Sequence, residues 1–233
     1  MRQHPLHLAT EFSDNPAVIA VSIEAGASVN ARTEASLTPL HKAAALSVDP
    51  VVIAALIEAG AEVNARTETG LTPLHKAAAL NSNPAIITAL IGAGAEVNAR
   101  TEDGYTSLHG AAALNSNPAI IAALIKAGAN ADVRNETGLT PLHRAAALNS
   151  NPAIIAALIG AGAEVNARDE DGYTPLHLAV RWSDNPDVLI LLLDTGADAS
   201  AEDENSKTPW DYAKGRDGLK GTDAYWRLND ARF

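Results

Sequence analysis

Apolar residues in this chain fall into short blocks that come in pairs. One block reads Pro141-Leu142-His143-Arg144-Ala145-Ala146-Ala147-Leu148, with its Leu and Ala positions facing one side of a helix. Its companion is richer in branched side chains. There Ile86, Ile87, Leu90 and Ile91 make an apolar stripe at helical spacing. Polar punctuation surrounds both blocks. Thr precedes Pro at the head of the first, and Asn or Asp precedes Pro at the head of the second, as in Asn83-Pro84 and Asp49-Pro50. Thr, Asn and Asp cap helices through a side-chain oxygen, and Pro at the next position gives up an N–H that the helix cannot use. Gly60, Gly94, Gly128 and Gly162 close the second block, as residues just past a helix end. The pattern predicts helix, polar turn, helix and loop, with Ala in the first helix allowing close approach of a neighbour.

The pattern is periodic. The capping Thr falls at 38, 72, 106, 140 and 174, a step of 34 each time. One step back lies His4-Pro5-Leu6-His7, and one step forward lies Thr208-Pro209-Trp210-Asp211. An internal period of this size marks a stacked repeat array, in which each repeat buries its apolar face on its neighbours. Thr-Pro-Leu-His-x-Ala opening the unit, with Leu90-Ile91-Gly92-Ala93-Gly94-Ala95-Glu96-Val97-Asn98-Ala99 closing it, resembles the ankyrin repeat. The resemblance implies an all-α solenoid of stacked helix-turn-helix units with β-hairpin loops, forming one domain over residues 1–233. The boundaries are 4–37 for an N-terminal capping repeat, 38–71, 72–105, 106–139, 140–173 and 174–207 for full repeats, and 208–233 for a C-terminal cap. The common ankyrin unit has about 33 residues. The extra residue falls in the turn between the helices, around Leu80-Asn81-Ser82-Asn83-Pro84, which leaves the form of that turn open.

Both ends depart from the interior. Ser22 stands where the full copies have Leu, and His4 replaces the capping Thr, as expected of a terminal repeat with a polar outer face. Residues 219–229 resemble the last segment of a set of bacterial ankyrin-repeat proteins. There Thr222 or Asp223 is expected to cap a short helix whose Tyr225 and Trp226, with Trp210, cover the last apolar layer. Met1-Arg2-Gln3 leads straight into a repeat, so the expectation is no signal peptide, loss of an upstream segment, and a natural C-terminus.

Four polar columns recur. His7, His41, His75, His109, His143 and His177 would stand roughly 10 Å apart, too far to share a metal, and the resemblance makes them structural. Asn30, Asn64, Asn98 and Asn166 are expected to fix the loops, with Asp132 and Ser200 breaking the series. Arg66, Arg100, Arg134 and Arg168 beside Glu68, Glu102, Glu136 and Glu170 predict a solvated ladder of ion pairs. Asp169/Asp171 and Asp203/Glu204 are expected on loop tips in water, without the spacing of a calcium loop.

Composition narrows the function. Hydrophobic residues are 47% but aromatics only 4%, so the core is Ala, Leu, Ile and Val. A net charge of −11 argues against nucleic acid or an anionic membrane as partner. With no Cys there is neither a disulfide framework nor a thiolate metal site. No apolar run reaches transmembrane length. No phosphate-binding glycine loop or nucleophile elbow occurs. The expectation is a monomeric protein that is not an enzyme, takes no cofactor or metal, and binds an unidentified protein; compartment is left open.

The variable positions point to one face. The first groove-facing column reads Leu8, Lys42, Lys76, Gly110, Arg144 and Leu178, and the residue before each Thr reads Leu37, Leu71, Tyr105, Leu139 and Tyr173. Arg181 and Trp182 replace an Ala-Leu pair. The expected partner-binding residues are Lys42, Lys76, Tyr105, Arg144, Tyr173, Leu178, Arg181 and Trp182, with Asp103 and Asp171 at loop tips. Leu46, Leu80, Leu114 and Leu148 either floor the groove or pack under the turn, and stay outside the set. Two other readings are a consensus-like or engineered scaffold with no retained partner, and catalytic or metal chemistry on the His and Asp columns.

Overall fold

The structure, a computed structural model, describes residues 4–231. Among them are fourteen helices and no strand. They come in pairs, one pair per period: α1 (Pro5–Phe12) with α2 (Pro16–Glu24), α3 (Pro39–Leu46) with α4 (Pro50–Glu58), and α5 (Pro73–Leu80) with α6 (Pro84–Gly92). Then follow α7 (Ser107–Leu114) with α8 (Pro118–Lys126), α9 (Pro141–Leu148) with α10 (Pro152–Gly160), α11 (Pro175–Trp182) with α12 (Pro186–Asp194), and α13 (Pro209–Ala213) with α14 (Asp223–Asp230). The residues group into two compact bodies. The N-terminal body holds the described residues up to Ala111 with Ala123–Ala129, and the C-terminal body holds Ala112–Ala122 with the residues from Asn130 on.

Within each body first helices pack on first helices and second on second: α3 on α1 and α5, α4 on α2 and α6, α11 on α9 and α13, and α12 on α10 and α14. Leu40, Leu74, Leu142 and Leu176 are fully buried, as are Ile86, Ile87, Leu90, Ile154, Ile155 and Leu158. Ala43, Ala44, Ala77 and Ala78 are equally inaccessible, and their size lets the first helices meet closely.

Helices α3, α5, α9 and α11 each begin with a reciprocal cap. The N–H of His41 donates to the Thr38 hydroxyl, while Thr38 donates its own N–H to His41 Nδ1 at 3.2 Å and its hydroxyl to the same atom at 2.8 Å. This is a capping box with His where Glu or Gln is usual. Thr72, Thr140 and Thr174 repeat it. A backbone N–H can only donate, so Nδ1 is unprotonated and the ring hydrogen sits on Nε2. That hydrogen goes to a carbonyl in the next repeat: Leu71 for His41 (3.0 Å), Tyr105 for His75 (3.2 Å), Tyr173 for His143 (3.0 Å) and Lys207 for His177 (3.1 Å). The first repeat has the second bond only. His7 Nε2 reaches the Leu37 carbonyl at 2.9 Å, but His4 makes no side-chain cap and His7 Nδ1 is left unpartnered.

The turns between helices carry a second tie. Asn81, where the extra residue falls, is buried and donates from Nδ2 to the carbonyls of Ala44 (3.1 Å) and Ser47 (2.7 Å) in the preceding repeat. Asn149 does the same to Ala112 (2.9 Å) and Asn115 (2.8 Å). The capping asparagines add a bond back, Asn83 to Val48, Asn151 to Ser116 and Asn185 to Ser150, each at 2.8 Å. The inserted turn is therefore an inter-repeat clamp, beyond the cap that the Asn-Pro step predicts.

The loops form a third tie. Thr67 N–H donates to Leu71 O and Gly70 N–H to Thr67 O, closing a tight turn; the expected β-hairpin loops are turns of this kind, without a strand ladder. Gly138 sits at φ +79°, and a Cβ there would lie 3.0 Å from the Glu170 nitrogen, so the position excludes larger residues twice over. Asn30 and Asn64 donate to the Gly60 and Gly94 carbonyls and accept from the Glu62 and Glu96 N–H groups. Asp132 keeps the accepting half of this pattern, from Glu164 N–H at 2.8 Å. The Arg column also reaches the main chain of the next loop, which an ion-pair ladder does not anticipate. Arg66 donates to the Arg100 carbonyl at 2.8 Å, Arg134 to the Arg168 carbonyl and Arg168 to the Glu202 carbonyl.

The ends also differ in part from expectation. Ser22 turns its hydroxyl to the Val18 carbonyl, but Val18 and Val21 are exposed, so the first repeat's outer face is not wholly polar. At the other end Thr222 caps α14, and Trp210, Leu219, Ala224 and Leu228 are buried. Trp226 is exposed and does not join the cover, whereas half-buried Tyr225 lies against Trp210 with ring centroids 4.7 Å apart.

Asn81→Ala removes two buried bonds and leaves two carbonyls unpaired, and should lower stability by about 1–3 kcal/mol in urea unfolding. A wild-type midpoint would contradict the clamp. The histidine ties predict a pH dependence. Burial, against the opposing pull of the accepting carbonyl, lowers the pKa of His7, His41, His75 and His177 from the ordinary 6.5, that of His41 to about 4. The unfolded chain takes up these protons first, so stability is full above pH 6.5 and is lost as pH falls through the window down to about 4. Each such His contributes a slope of up to about 1.4 kcal/mol per pH unit. The urea midpoint should drop steeply toward about pH 5, and an unchanged midpoint would rule out the neutral imidazole ties.

Candidate functional site

In the C-terminal body, α9, α11 and the loops ahead of them surround a concave pocket of about 520 Å³. Six of the ten residues expected at the binding face line it: Arg144, Asp171, Tyr173, Leu178, Arg181 and Trp182. The helical register explains the grouping. Leu178 and Arg181 lie three apart on α11, and Arg144 and Leu148 lie four apart on α9, so each pair shares a helix face. Leu148 lines the pocket as well. It is one of a column of exposed apolar residues spaced by 34: Phe12, Leu46 and Leu80 in the N-terminal body, and Leu114, Leu148 and Trp182 in the C-terminal body, 51–78% exposed. None packs under its turn.

Aromatic rings hold the pocket's guanidinium. Arg181 Cζ lies 4.7 Å from the Tyr173 ring centroid, 5.0 Å from that of Tyr212 and 5.5 Å from that of Trp182. Such contacts contribute about 0.5–2 kcal/mol each, more as the charge is desolvated. The rings are fixed in turn. Tyr173 and Tyr212 share a hydroxyl–hydroxyl bond of 3.3 Å, and the Tyr212 hydroxyl donates to Asp203 Oδ2. Asp203 is buried, and its Oδ1 accepts from the N–H groups of Asn205 (2.8 Å) and Lys207 (3.0 Å). Burial works against its ionisation, but the Tyr212 hydroxyl and these backbone donors outweigh it and hold the carboxyl below its ordinary range. The same burial and hydrogen bond push the Tyr212 phenol well above its ordinary value.

The acidic residues are thus not simply solvated tips, as their place in the sequence implies. Asp169 Oδ1 accepts from the N–H groups of Asp171 (3.1 Å) and Tyr173 (2.8 Å), and burial raises its pKa, with the neighbouring Asp171 adding to the rise. It is a turn-fixing carboxylate. Tyr212 and Asp203 escaped the sequence reading, although the signal was present: the groove column ends one step of 34 beyond Leu178, at Tyr212.

The remaining expected residues, Lys42, Lys76, Asp103 and Tyr105, lie in the N-terminal body. Lys42 is not a free basic group; its ammonium pairs with Glu11 at 2.6 Å, both side chains mostly covered. The expected basic stripe therefore loses one member. Tyr105 stands edge-on to His109 at 5.4 Å, and Asp103 is exposed on its loop. Among the described residues no three His, Asp or Glu side chains are grouped to hold a metal ion, and no helix is long and apolar enough to cross a membrane.

The family model for ankyrin repeats (3 copies) matches residues 6–101, 77–169 and 108–203. The chain belongs to the ankyrin-repeat family. No curated protein matches this ankyrin-repeat chain significantly. Among solved structures, the crystal structure of the human ASB11 ankyrin repeat domain is similar, with 26% identity, 98% of each chain covered and a TM-score of 0.84. Ankyrin repeats generally mediate protein–protein interaction, and the fold is typically a non-catalytic module.

The aromatic frame of this ankyrin-repeat pocket can be read by titration. Ultraviolet titration of phenolate absorbance should show one tyrosine ionising well above the ordinary value of 10, and Tyr212→Phe should remove that component. Its persistence in the variant would mean that the Asp203–Tyr212 bond does not form.

Proposed function

We propose that this ankyrin-repeat chain is a non-catalytic binding module that takes a segment of a partner protein into the pocket bounded by Tyr173, Arg181 and Trp182. One observation carries the reading. The interior repeats are nearly identical, yet residues that break the pattern near the C-terminal end, Tyr173, Arg181 and Trp182, line one concavity, with Tyr212 flanking the Arg181 guanidinium. Tyr, Trp and Arg are the residues enriched at interface hot spots. A volume of about 520 Å³ is in the range of clefts that enclose side chains or small ligands. The exposed column at Leu114 and Leu148 continues the apolar surface alongside Trp182.

The test is a double change, Tyr173→Ala with Trp182→Ala, in protein whose circular dichroism and melting show it folded. Partner capture from the source organism, quantified for a purified partner, should weaken by more than about thirtyfold, the loss of a hot spot. Undiminished capture would move binding elsewhere on the chain. Failure of the wild type to capture any partner would favour the scaffold reading.

A further inference from the structure

We infer that the pocket is a carboxylate receptor: an Asp or Glu side chain of an extended partner segment docks on the edge of the Arg181 guanidinium, with an adjacent apolar side chain against Leu148 and Trp182. This rests on the binding reading above and specifies its ligand chemistry.

The argument starts from what Arg181 lacks. Its guanidinium contacts three rings but makes no hydrogen bond or ion pair among the described residues. Stacking engages the faces of a planar guanidinium and leaves the N–H donors in its plane unused. Those donors match a planar carboxylate, which they bind bidentately. The rings also strip water from the charge, which strengthens a contact made at its edge. At the equivalent positions the chain has Ala45, Ala79, Ala113 and Ala147, so nothing in the repeat's packing calls for Arg here. The guanidinium is held and oriented by rings, and its in-plane donors have no protein partner among the described residues.

Charge decides which anion fits. Asp169 and Asp171 line the same pocket and repel a dianion such as phosphate more than a single carboxylate. The protein's net charge of −11 similarly disfavours a run of acids. A lone carboxylate beside an apolar residue satisfies both limits. An internal side chain is favoured over a chain terminus because the exposed apolar residues Leu148 and Trp182 offer contact to residues flanking the acid.

The experiment is selection of a random peptide library on the full chain, followed by affinity measurement of selected peptides. Four protein variants are compared: wild type, Arg181→Ala, Arg181→Lys and Trp182→Ala. Arg181→Ala restores the residue found in the four interior repeats and should fold. Selected peptides should carry Asp or Glu next to an apolar residue. Their affinity should fall about tenfold to a hundredfold with Arg181→Ala, and equally when the peptide's acid is changed to its amide. Arg181→Lys should recover only part, since an ammonium lacks the fork. C-terminal amidation of the peptide should change nothing. Peptides that depend on Trp182 but tolerate Arg181→Ala and loss of their acid would overturn the carboxylate inference while leaving the binding reading intact. Tighter binding of a phosphoserine version, or dependence on the free C-terminus, would also overturn it. Selected binders indifferent to both Trp182 and Arg181 would overturn the inference and the binding reading together.

Discussion

The imidazole of His41 is bonded at both nitrogens to main chain, and each bond does a different job. Nδ1 completes the cap of its own helix, and Nε2–H reaches the Leu71 carbonyl in the next repeat. His75, His143 and His177 are held the same way. Only the neutral Nε2–H tautomer satisfies both partners. A single side chain thus couples local helix formation to stacking: a repeat whose neighbour is absent loses the acceptor, and a repeat whose cap fails misplaces the ring. In a repeat array stability resides in such neighbour terms. The Thr-Pro-Leu-His step recurs for this reason, and its recurrence makes the period visible in the sequence itself.

The polar ties share a division of labour with the apolar core. Leu, Ile and Ala fill the space between helix layers but have no directional preference, and they would tolerate slippage along the stack. The Asn81 and Asn149 amides fix one end of the layers and the Asn30 and Asn64 amides the other, each by donating to carbonyls that a helix end or turn leaves open. Buried carbonyls without donors are costly, so these amides specify register as well as adding stability.

This explains which parts of the molecule could be read from the chain. Caps, helix stops and the periodic core depend on local chemistry and spacing, and they were legible. The Arg column was not, because sequence places Arg66 near Glu68 but says nothing of a carbonyl one repeat away. Lys42 was misjudged for a related reason: its partner Glu11 lies 31 residues off, at a position that is Ala in the four interior repeats. The inserted turn showed its Asn-Pro cap but hid the second Asn as a buried donor. At the site, Tyr173, Arg181 and Trp182 stood out as breaks in a repeated pattern. Asp203 did not, since a buried carboxylate in a loop looks in sequence like any solvated one.

The site itself follows from where the repeat permits change. Of the positions equivalent to Arg181 in the interior repeats, Ala45, Ala79 and Ala147 are partly exposed and Ala113 is buried, so in most repeats a long side chain there displaces no core. Exposure alone would leave a mobile arginine, expensive to order on binding. The fixed elements supply the order. Asp203 is clamped by two backbone donors, it orients the Tyr212 hydroxyl, Tyr212 meets Tyr173, and these rings flank the guanidinium. The chain of contacts begins at a turn-fixing carboxylate that every other repeat fills with Thr, Asn or Asp for its own loop. A device for closing loops has thereby become the anchor of an aromatic cradle. The aromatic cradle is built on the same kind of ties that hold the repeats together.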